Sequence, residues 1–100
     1  MKMTLAEIAR VVKAQPLSEA DGSHVVTGLA FDSRKLKPGM LFVPLRGERD
    51  GHEFIPAAAT AGAVATFVAA DHLPVTTKLI TLVVPDPLKA MQQLAQYYLL

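Results

Sequence analysis

GLAFDSRKLKPGMLFVPLRGERDGHEFI, residues 28–55, is the stretch that decides the fold of this chain. It contains two short apolar runs, Gly28–Phe31 and Met40–Leu45, which have the composition of β-strands. A charged segment follows each run, at residues 32–35 and 46–52, so that nearly half of the charged residues of the chain lie here. We therefore expect a ligand site, if the chain has one, in this stretch, and we expect the rest to be scaffold.

Outside this stretch, apolar periodicity and capping residues predict the remaining elements. The predicted elements are a helix at Thr4–Lys13, strands at His24–Phe31 and Met40–Leu45, a helix at Phe54–Ala61, strands at Ala63–Ala69 and Leu79–Val84, and a helix that begins at Asp86-Pro87 and has Leu88, Met91, Leu94 or Ala95, and Tyr98 as its apolar stripe. The order α-β-β-α-β-β-α predicts an α/β fold with a small mixed sheet and flanking helices. Because Pro44 cannot donate to a ladder, the second strand is expected at an edge or with a bulge, whereas Leu79–Val84 is expected to be central.

Composition limits the classes of function. A chain of 100 residues with 51% hydrophobic and 6% aromatic residues is the size of one domain with a core of small aliphatic side chains. Ten basic and nine acidic residues give a net charge of +1, which is too balanced for an electrostatic nucleic-acid binder. Cysteine is absent, which excludes a disulfide scaffold and a thiolate metal site and permits a cytoplasmic location. No apolar run approaches the roughly 18 residues that a membrane span needs, so no membrane partner is expected.

The polar segments and the apolar runs beside them also carry a family resemblance. The residues concerned are Asp32-Ser33-Arg34, Lys37-Pro38-Gly39 with Leu41-Phe42-Val43, Arg46-Gly47-Glu48-Arg49, Asp50-Gly51-His52 with Phe54-Ile55, and Ala61-Gly62-Ala63. At these spacings the chain resembles the N-terminal domain of the Mur ligases, which add amino acids to the UDP-linked muramyl peptide precursor of peptidoglycan. The family loop usually has one more residue between Gly-Glu-Arg and Asp-Gly-His; here Arg49 directly precedes Asp50.

The resemblance implies one domain of a three-domain, cytoplasmic, monomeric enzyme. In that enzyme the central domain binds ATP with Mg²⁺, and the N-terminal domain binds the UDP end of the UDP-N-acetylmuramoyl peptide. This sequence has no G-x-x-G-K-[ST] phosphate loop, and its last helix has no stop signal before Leu100. We therefore expect residues 1–100 to be the UDP-substrate domain alone, cut before the ATP-binding domain, without catalytic residues, bound ATP or metal of its own. Within the family, Arg-Lys after Asp-Ser and the Gly-Glu-Arg…Gly-His pattern look most like the member that adds D-alanyl-D-alanine to UDP-N-acetylmuramoyl-tripeptide.

Seven residues are candidates for contact with UDP: Phe31, Ser33, Arg34, Gly47, Glu48, Arg49 and His52. By resemblance, Phe31 and Ser33 line the UDP pocket and the loop Gly47–Arg49 covers the nucleotide. Arginine can bind a phosphate bidentately, and a histidine can hydrogen-bond a phosphate or ribose.

Each candidate also has a structural alternative. Phe31 suits a core position and Arg34 a solvated surface, and Ser33 suits a turn in which Asp32 and Ser33 bond their own backbone. The Gly47 loop suits a polar connection, and His52 suits a helix cap. His24 and His72 look isolated and exposed, and no His, Asp or Glu grouping has metal-ligand spacing.

Three other functions fit the same sequence. The sister ligase that adds diaminopimelate or lysine as the third residue shares the layout of these motifs. A non-catalytic binding or interaction module could have the same fold. A small α/β domain whose polar loops bind nothing is the third alternative.

Overall fold

The structure, a computed structural model, describes residues 2–99, with side chains as far as Tyr98. The predicted unstopped end at Leu100 lies outside these residues. The strands and α-helices, in chain order, are β1 Met3–Thr4, α1 Leu5–Val11, α2 Glu19–Gly22, β2 Val25–Val26, β3 Leu29–Ala30, β4 Leu41–Phe42, α3 Ile55–Thr60, β5 Ala65–Ala69, β6 Ile80–Val84 and α4 Pro87–Leu99. Three short 3₁₀ helices lie at Ser33–Lys35, Gly51–Phe54 and Ala70–His72.

The predicted α/β fold is confirmed, and its main sheet is more regular than expected. Four strands pair in the order β3-β4-β5-β6, and every pairing is parallel. The strands β1 and β2 pair antiparallel in a separate two-stranded sheet. Parallel strands bring all their carboxyl ends to one edge of the sheet. The segments that follow β3 and β4 therefore lie on the same side of the molecule.

The main sheet lies between two helical layers. In β4, Leu41 points into a core that contains α1 and α4, whereas the next residue, Phe42, points into a smaller core that contains α3. This alternation follows from the period of two in a strand. All five residues of β5 are buried, as expected for a parallel strand covered on both faces.

Local capping signals in the sequence are confirmed. The Thr4 hydroxyl accepts from the Glu7 amide and the Glu7 carboxylate accepts from the Thr4 amide, which completes the capping box of α1. The Asp86 carboxylate accepts from the Leu88 amide at 2.9 Å and so caps α4. Gly62 ends the α3 segment with φ +96°, a conformation that glycine adopts without steric cost.

The predicted strand His24–Phe31 is wrong in its extent. The chain forms β2, leaves the antiparallel pair, and enters the parallel sheet as β3. Between the two strands, the Thr27 amide donates to the carbonyl of Gly39 at 3.2 Å. One apolar run therefore serves two sheets, which a continuous hydrophobic pattern cannot indicate.

Two expectations about sheet position are also wrong. β4 lies between β3 and β5 and is not an edge strand. Its ladder ends at Phe42, so Pro44 lies beyond the pairing and costs no ladder hydrogen bond. The strand predicted to be central, β6, is at the edge beside β5, and only Leu82 and Val84 of it are fully buried.

The buried face of α4 agrees with the predicted stripe at Met91 and Leu94 but not at Leu88 and Tyr98. Ala90 and Leu94 are buried at 2% and 1% exposure, whereas Leu88 and Tyr98 are 43% and 53% exposed. The helix is therefore rotated so that the smaller side chain, Ala90, packs close to the sheet. None of the helices within residues 2–99 has the length and apolarity to cross a membrane.

Candidate functional site

A cavity of about 630 Å³ lies at the carboxyl ends of β3 and β4. The 3₁₀ turn after β3 forms one side, and the chain after β4 forms the other. The lining residues come from both charged segments, from the apolar residue before each, and from the adjoining 3₁₀ helix: Phe31, Asp32, Ser33, Arg34, Leu45, Arg46, Gly47, Arg49, Gly51 and Phe54. The two segments that the sequence singles out are therefore neighbours across one cavity.

Five of the seven candidate residues line this cavity: Phe31, Ser33, Arg34, Gly47 and Arg49. Phe31 is 61% exposed, so the alternative that it belongs to the core is wrong. An aromatic ring this exposed at a cavity wall offers a flat apolar surface to a ligand.

The first wall is a turn held together by Asp32. Its carboxylate accepts from the Arg34 amide at 3.0 Å, which is the local turn that the sequence left open. The same carboxylate also receives the Arg34 guanidinium in a forked pair, from Nε at 3.1 Å and from Nη2 at 2.9 Å. These bonds from Arg34 lower the pKa of Asp32 to about 2 and raise that of Arg34. Its other guanidinium N–H groups make no hydrogen bond within residues 2–99, and its side chain is 87% exposed.

The second wall is the segment Arg46–Asp50, here called the pocket loop. Arg46 and Asp50 form an antiparallel bridge at its base, and the Gly47 amide donates to the Arg49 carbonyl at 3.1 Å within it. The Arg49 guanidinium lies 5.2 Å from the centre of the Phe54 ring, a cation–π distance. The loop is thus a closed, hairpin-like turn that holds the Arg49 guanidinium beside Phe54 at the cavity.

Gly51 fixes where the pocket loop ends. Its amide donates to the Leu45 carbonyl at 2.8 Å. A Cβ at this position would lie 2.6 Å from the backbone nitrogen and oxygen of Leu45, closer than real side chains approach. Only glycine allows the two backbone strands of the loop base to meet in this way.

Two candidate residues do not line the cavity. Glu48 is exposed at the tip of the pocket loop. His52 is 5% exposed and its ring is fully buried, so it does not present a nitrogen to a ligand. Its Nε2 accepts from the Ala69 amide at 3.0 Å, and its Nδ1 lies 2.7 Å from Asp50 Oδ1. The helix-cap alternative for His52 is incorrect, because α3 begins without a side-chain cap. The preceding 3₁₀ turn is capped by Asp50, which accepts from the His52 amide at 3.0 Å.

His72 is not isolated, contrary to the sequence expectation. Its ring stacks on that of His52 with centroids 4.0 Å apart, and its Nδ1 lies 3.5 Å from Asp50 Oδ2. Burial acts to raise the pKa of Asp50, but the backbone and ring hydrogen bonds from His52 outweigh it, so that this pKa lies below its usual range. Asp50, His52 and His72 offer ligand atoms that all lie within 4.8 Å of one another, a grouping that the sequence spacing does not indicate.

This grouping does not fit a metal ion. Because His52 Nε2 accepts a backbone N–H, the single ring proton of the neutral imidazole must be on Nδ1. Nδ1 then donates to Asp50 and has no lone pair for a metal. A metal could bind His52 only after the buried bond to Ala69 had been broken.

An ion pair ties the base of the pocket loop to the chain after β5. The Arg46 guanidinium donates to both carboxylate oxygens of Asp71, at 2.7 and 3.2 Å. This pairing raises the pKa of Arg46 and lowers that of Asp71. Arg46 also borders a second cavity of about 360 Å³ that extends toward the start of α4 at Pro87.

Sequence reasoning missed five lining residues: Asp32, Leu45, Arg46, Gly51 and Phe54. Three of them, Asp32, Arg46 and Gly51, are adjacent to predicted site residues, so extending each motif by one residue would have included them. Phe54 had a signal of its own, since an aromatic residue a few positions after Arg49 can receive its guanidinium.

Comparisons with known proteins agree on one family. The family model described as "Mur ligase family, catalytic domain" matches residues 25–99. The UDP-N-acetylmuramoyl-tripeptide–D-alanyl-D-alanine ligase of Bacillus subtilis is 38% identical over 99% of this chain and 22% of its own length. The UDP-N-acetylmuramoyl-L-alanyl-D-glutamate–2,6-diaminopimelate ligase of Chlorobaculum tepidum is 48% identical over 78% of this chain and 16% of its own length. The chain spans about a fifth of the length of these curated relatives.

A solved structure shares the fold. The crystal structure of MurF from Acinetobacter baumannii superimposes with a TM-score of 0.79 over 97% of this chain and 21% of that one, at 22% identity. At this identity the similarity shows the fold alone.

Proposed function

This chain belongs to the Mur ligase family, and from that premise we propose that it is the domain that binds the UDP end of a UDP-N-acetylmuramoyl peptide. The observation that carries the proposal is the cavity between the turn after Phe31 and the pocket loop. Its volume of about 630 Å³ lies within the range of small-molecule sites. Its position beyond the carboxyl ends of parallel strands is where α/β sheets usually bind ligands.

The wall residues suit the three parts of UDP. The exposed ring of Phe31 offers a stacking surface to uracil. The Ser33 hydroxyl, which makes no hydrogen bond within the described residues, is free to bond the base or the ribose. Arg34 and Arg49, one on each wall, supply donors for the diphosphate.

In the whole enzyme, this domain would bind the substrate far from the group that reacts. Binding the UDP end positions the peptide carboxylate at the other end of the substrate for reaction in a neighbouring domain. We propose that ATP and Mg²⁺ bind in that neighbouring central domain, because this sequence lacks a phosphate loop and the acid–histidine grouping found within residues 2–99 does not fit a metal. We further propose that residues 1–100 act as one substrate-binding unit of a monomeric, cytoplasmic ligase.

The proposed reaction is the addition of D-alanyl-D-alanine to UDP-N-acetylmuramoyl-tripeptide. A relative with this activity in its name matches nearly the whole chain. The second candidate is the addition of diaminopimelate to UDP-N-acetylmuramoyl-L-alanyl-D-glutamate, which is favoured by the higher identity of a relative over a shorter part of the chain. Assaying the full-length protein with each substrate pair separates the two. Turnover with tripeptide and D-alanyl-D-alanine supports the first candidate, and turnover only with the dipeptide precursor and diaminopimelate overturns it.

Calorimetric titration of the chain with UDP and with uridine tests the binding site. Arg34→Gln should weaken UDP binding about tenfold, because a charge-assisted bond to phosphate is lost. It should leave uridine binding unchanged. Lys35→Gln is the matched control, since Lys35 is the adjacent exposed cation and does not line the cavity. Equal affinity of wild type and Arg34→Gln for UDP would contradict the assignment of Arg34 to the diphosphate.

A further inference from the structure

The half-buried Asp50 and the buried His52 form a linkage that the proposed binding chemistry does not use. Asp50 Oδ1 accepts from both the backbone and the ring of His52, at 3.0 and 2.7 Å. On its other side, the His52 ring accepts from Ala69 at the end of β5. Both nitrogens of the imidazole are therefore hydrogen-bonded, and the bond from the Ala69 amide determines which of them is protonated.

The linkage ends in the pocket loop. Asp50 is the last residue of the loop and pairs with Arg46 across its base. Arg46 in turn is bound to Asp71, just after β5. Both residues of the loop base are thus attached to the same end of β5, one through the ion pair and the other through the imidazole.

Besides this attachment, the side-chain contacts of the loop tip are made by the exposed Arg49, which donates to Glu53 at 3.3 Å and lies over the Phe54 ring; exposed ion pairs contribute little. Gly47, Glu48 and Arg49 are all exposed, and a Cβ on Gly47 would meet nothing within 4 Å. The position of the tip relative to Phe31 therefore depends on the geometry of the base. A short loop closed at its base loses less entropy when a ligand binds than a free segment does.

We propose that Asp50 and His52 are positioning residues that anchor the pocket loop to the end of β5 and so hold Gly47 and Arg49 at the cavity. They touch no ligand themselves. This inference rests on the proposed function only where it concerns UDP affinity, since the anchoring itself is a property of the unliganded chain.

A pair of substitutions at Asp50 tests the anchoring. Asp50→Ala removes the acceptor, whereas Asp50→Asn keeps an oxygen that accepts from His52. Both remove the carboxylate charge, so a difference between them reports the hydrogen bonds. ¹⁵N relaxation of the unliganded chain should show increased mobility at Gly47 and Glu48 in Asp50→Ala and wild-type values in Asp50→Asn.

UDP affinity is the second readout. If the loop occupies its binding position about one-tenth of the time without the anchor, the dissociation constant for UDP rises about tenfold in Asp50→Ala. Asp50→Asn should stay within about twofold of wild type because its acceptor is retained. A purely structural role would lower the melting temperature and leave the affinity of the folded protein unchanged.

Substitution of the imidazole covers the case in which Asp50→Ala fails to fold. In His52→Gln the amide oxygen can accept from Ala69 while the bond to Asp50 is lost. The Ala69 amide should then stay protected from exchange while the loop tip becomes mobile. The exposed His24→Gln is the matched control.

The outcomes separate the two proposals. Unchanged relaxation at Gly47 and Glu48 in both Asp50→Ala and His52→Gln overturns the anchoring, whether or not UDP binds. If wild type does not bind UDP while the loop tip loosens as expected, the anchoring stands and the proposed function fails.

Discussion

Replacing Gly51 with alanine is expected to destabilise the chain strongly, because the added methyl group would overlap backbone atoms. The new Cβ would lie 2.6 Å from the Leu45 backbone nitrogen and oxygen and 3.0 Å from the Pro44 carbonyl carbon. Ordinary contact begins at 3.4 Å, so the two backbone segments must separate by about 0.8 Å. That separation weakens the 2.8 Å hydrogen bond from Gly51 to Leu45 and opens the base of the pocket loop.

The expected cost is about 2–3 kcal/mol, as for overpacking against backbone that cannot easily move. For a domain of this size that corresponds to a fall in melting temperature of roughly 10–20 °C. Thermal unfolding followed by circular dichroism measures it.

Gly47→Ala is the matched control. It makes the same change of residue in the same loop, and the same change in the entropy of the unfolded chain. A Cβ on Gly47 meets no atom within 4 Å, so its melting temperature should stay within about 3 °C of wild type. The reasoning is refuted if Gly51→Ala melts within a few degrees of Gly47→Ala.

Three further predictions concern the helix, the cavity and pH. Leu94→Ala should lower the free energy of unfolding, measured with denaturant, by about 2–5 kcal/mol, and Leu88→Ala by less than about 0.5 kcal/mol. The reason is that the two leucines are 1% and 43% exposed. Equal losses in the two variants would contradict the assigned face of α4. Phe31→Ala should weaken UDP binding about tenfold through lost stacking, without a change in melting temperature. Tyr97 is also exposed, and Tyr97→Ala should change neither the UDP affinity nor the melting temperature. An unaffected UDP affinity in Phe31→Ala would remove Phe31 from the site. The pKa of Asp32 is lowered from 3.8 to about 2 by Arg34, so its contribution to stability is present above pH 4 and is lost as pH falls through about 2. An NMR titration should show this pKa return toward 3.8 in Arg34→Ala, and a midpoint that stays near 2 in that variant would refute the cause.

Local sequence signals predicted much of the fold because they act over a few residues. The Thr4–Glu7 capping box, the Asp86 cap and Gly62 each satisfy backbone groups within one turn of helix, so their effect is visible in the sequence. The burial of all five residues of β5 could also be predicted, since a strand covered on both faces is apolar throughout.

The order of the strands in the sheet could not be predicted from such local signals. Pro44 suggested an edge strand, but the β4 ladder ends before the proline, and ladder length is set by the neighbouring strands. The two-residue strands β1 and β2 are too short for any periodicity and owe their pairing to the tertiary fold.

The site was predicted in part for a related reason. The resemblance implied that Ser33 and Gly47 share one site; the parallel strands carry the segments after β3 and β4 to one edge, and the two residues line one cavity. The role of His52 could not be inferred, because its partner Ala69 is 17 residues away and a backbone amide has no sequence signature. The stacking of His72 on His52 likewise depends on how the chain turns after β5.

The central claim is that the cavity between Phe31 and the pocket loop binds the UDP end of a muramoyl peptide. Mapping amide chemical shifts of the ¹⁵N-labelled chain during titration with UDP-N-acetylmuramoyl-tripeptide tests it most directly. We expect the largest saturable shifts at Ser33, Gly47 and Arg49, with UDP alone reproducing them. Absence of shifts at millimolar ligand, or shifts confined to the second cavity around Pro87, would contradict the claim.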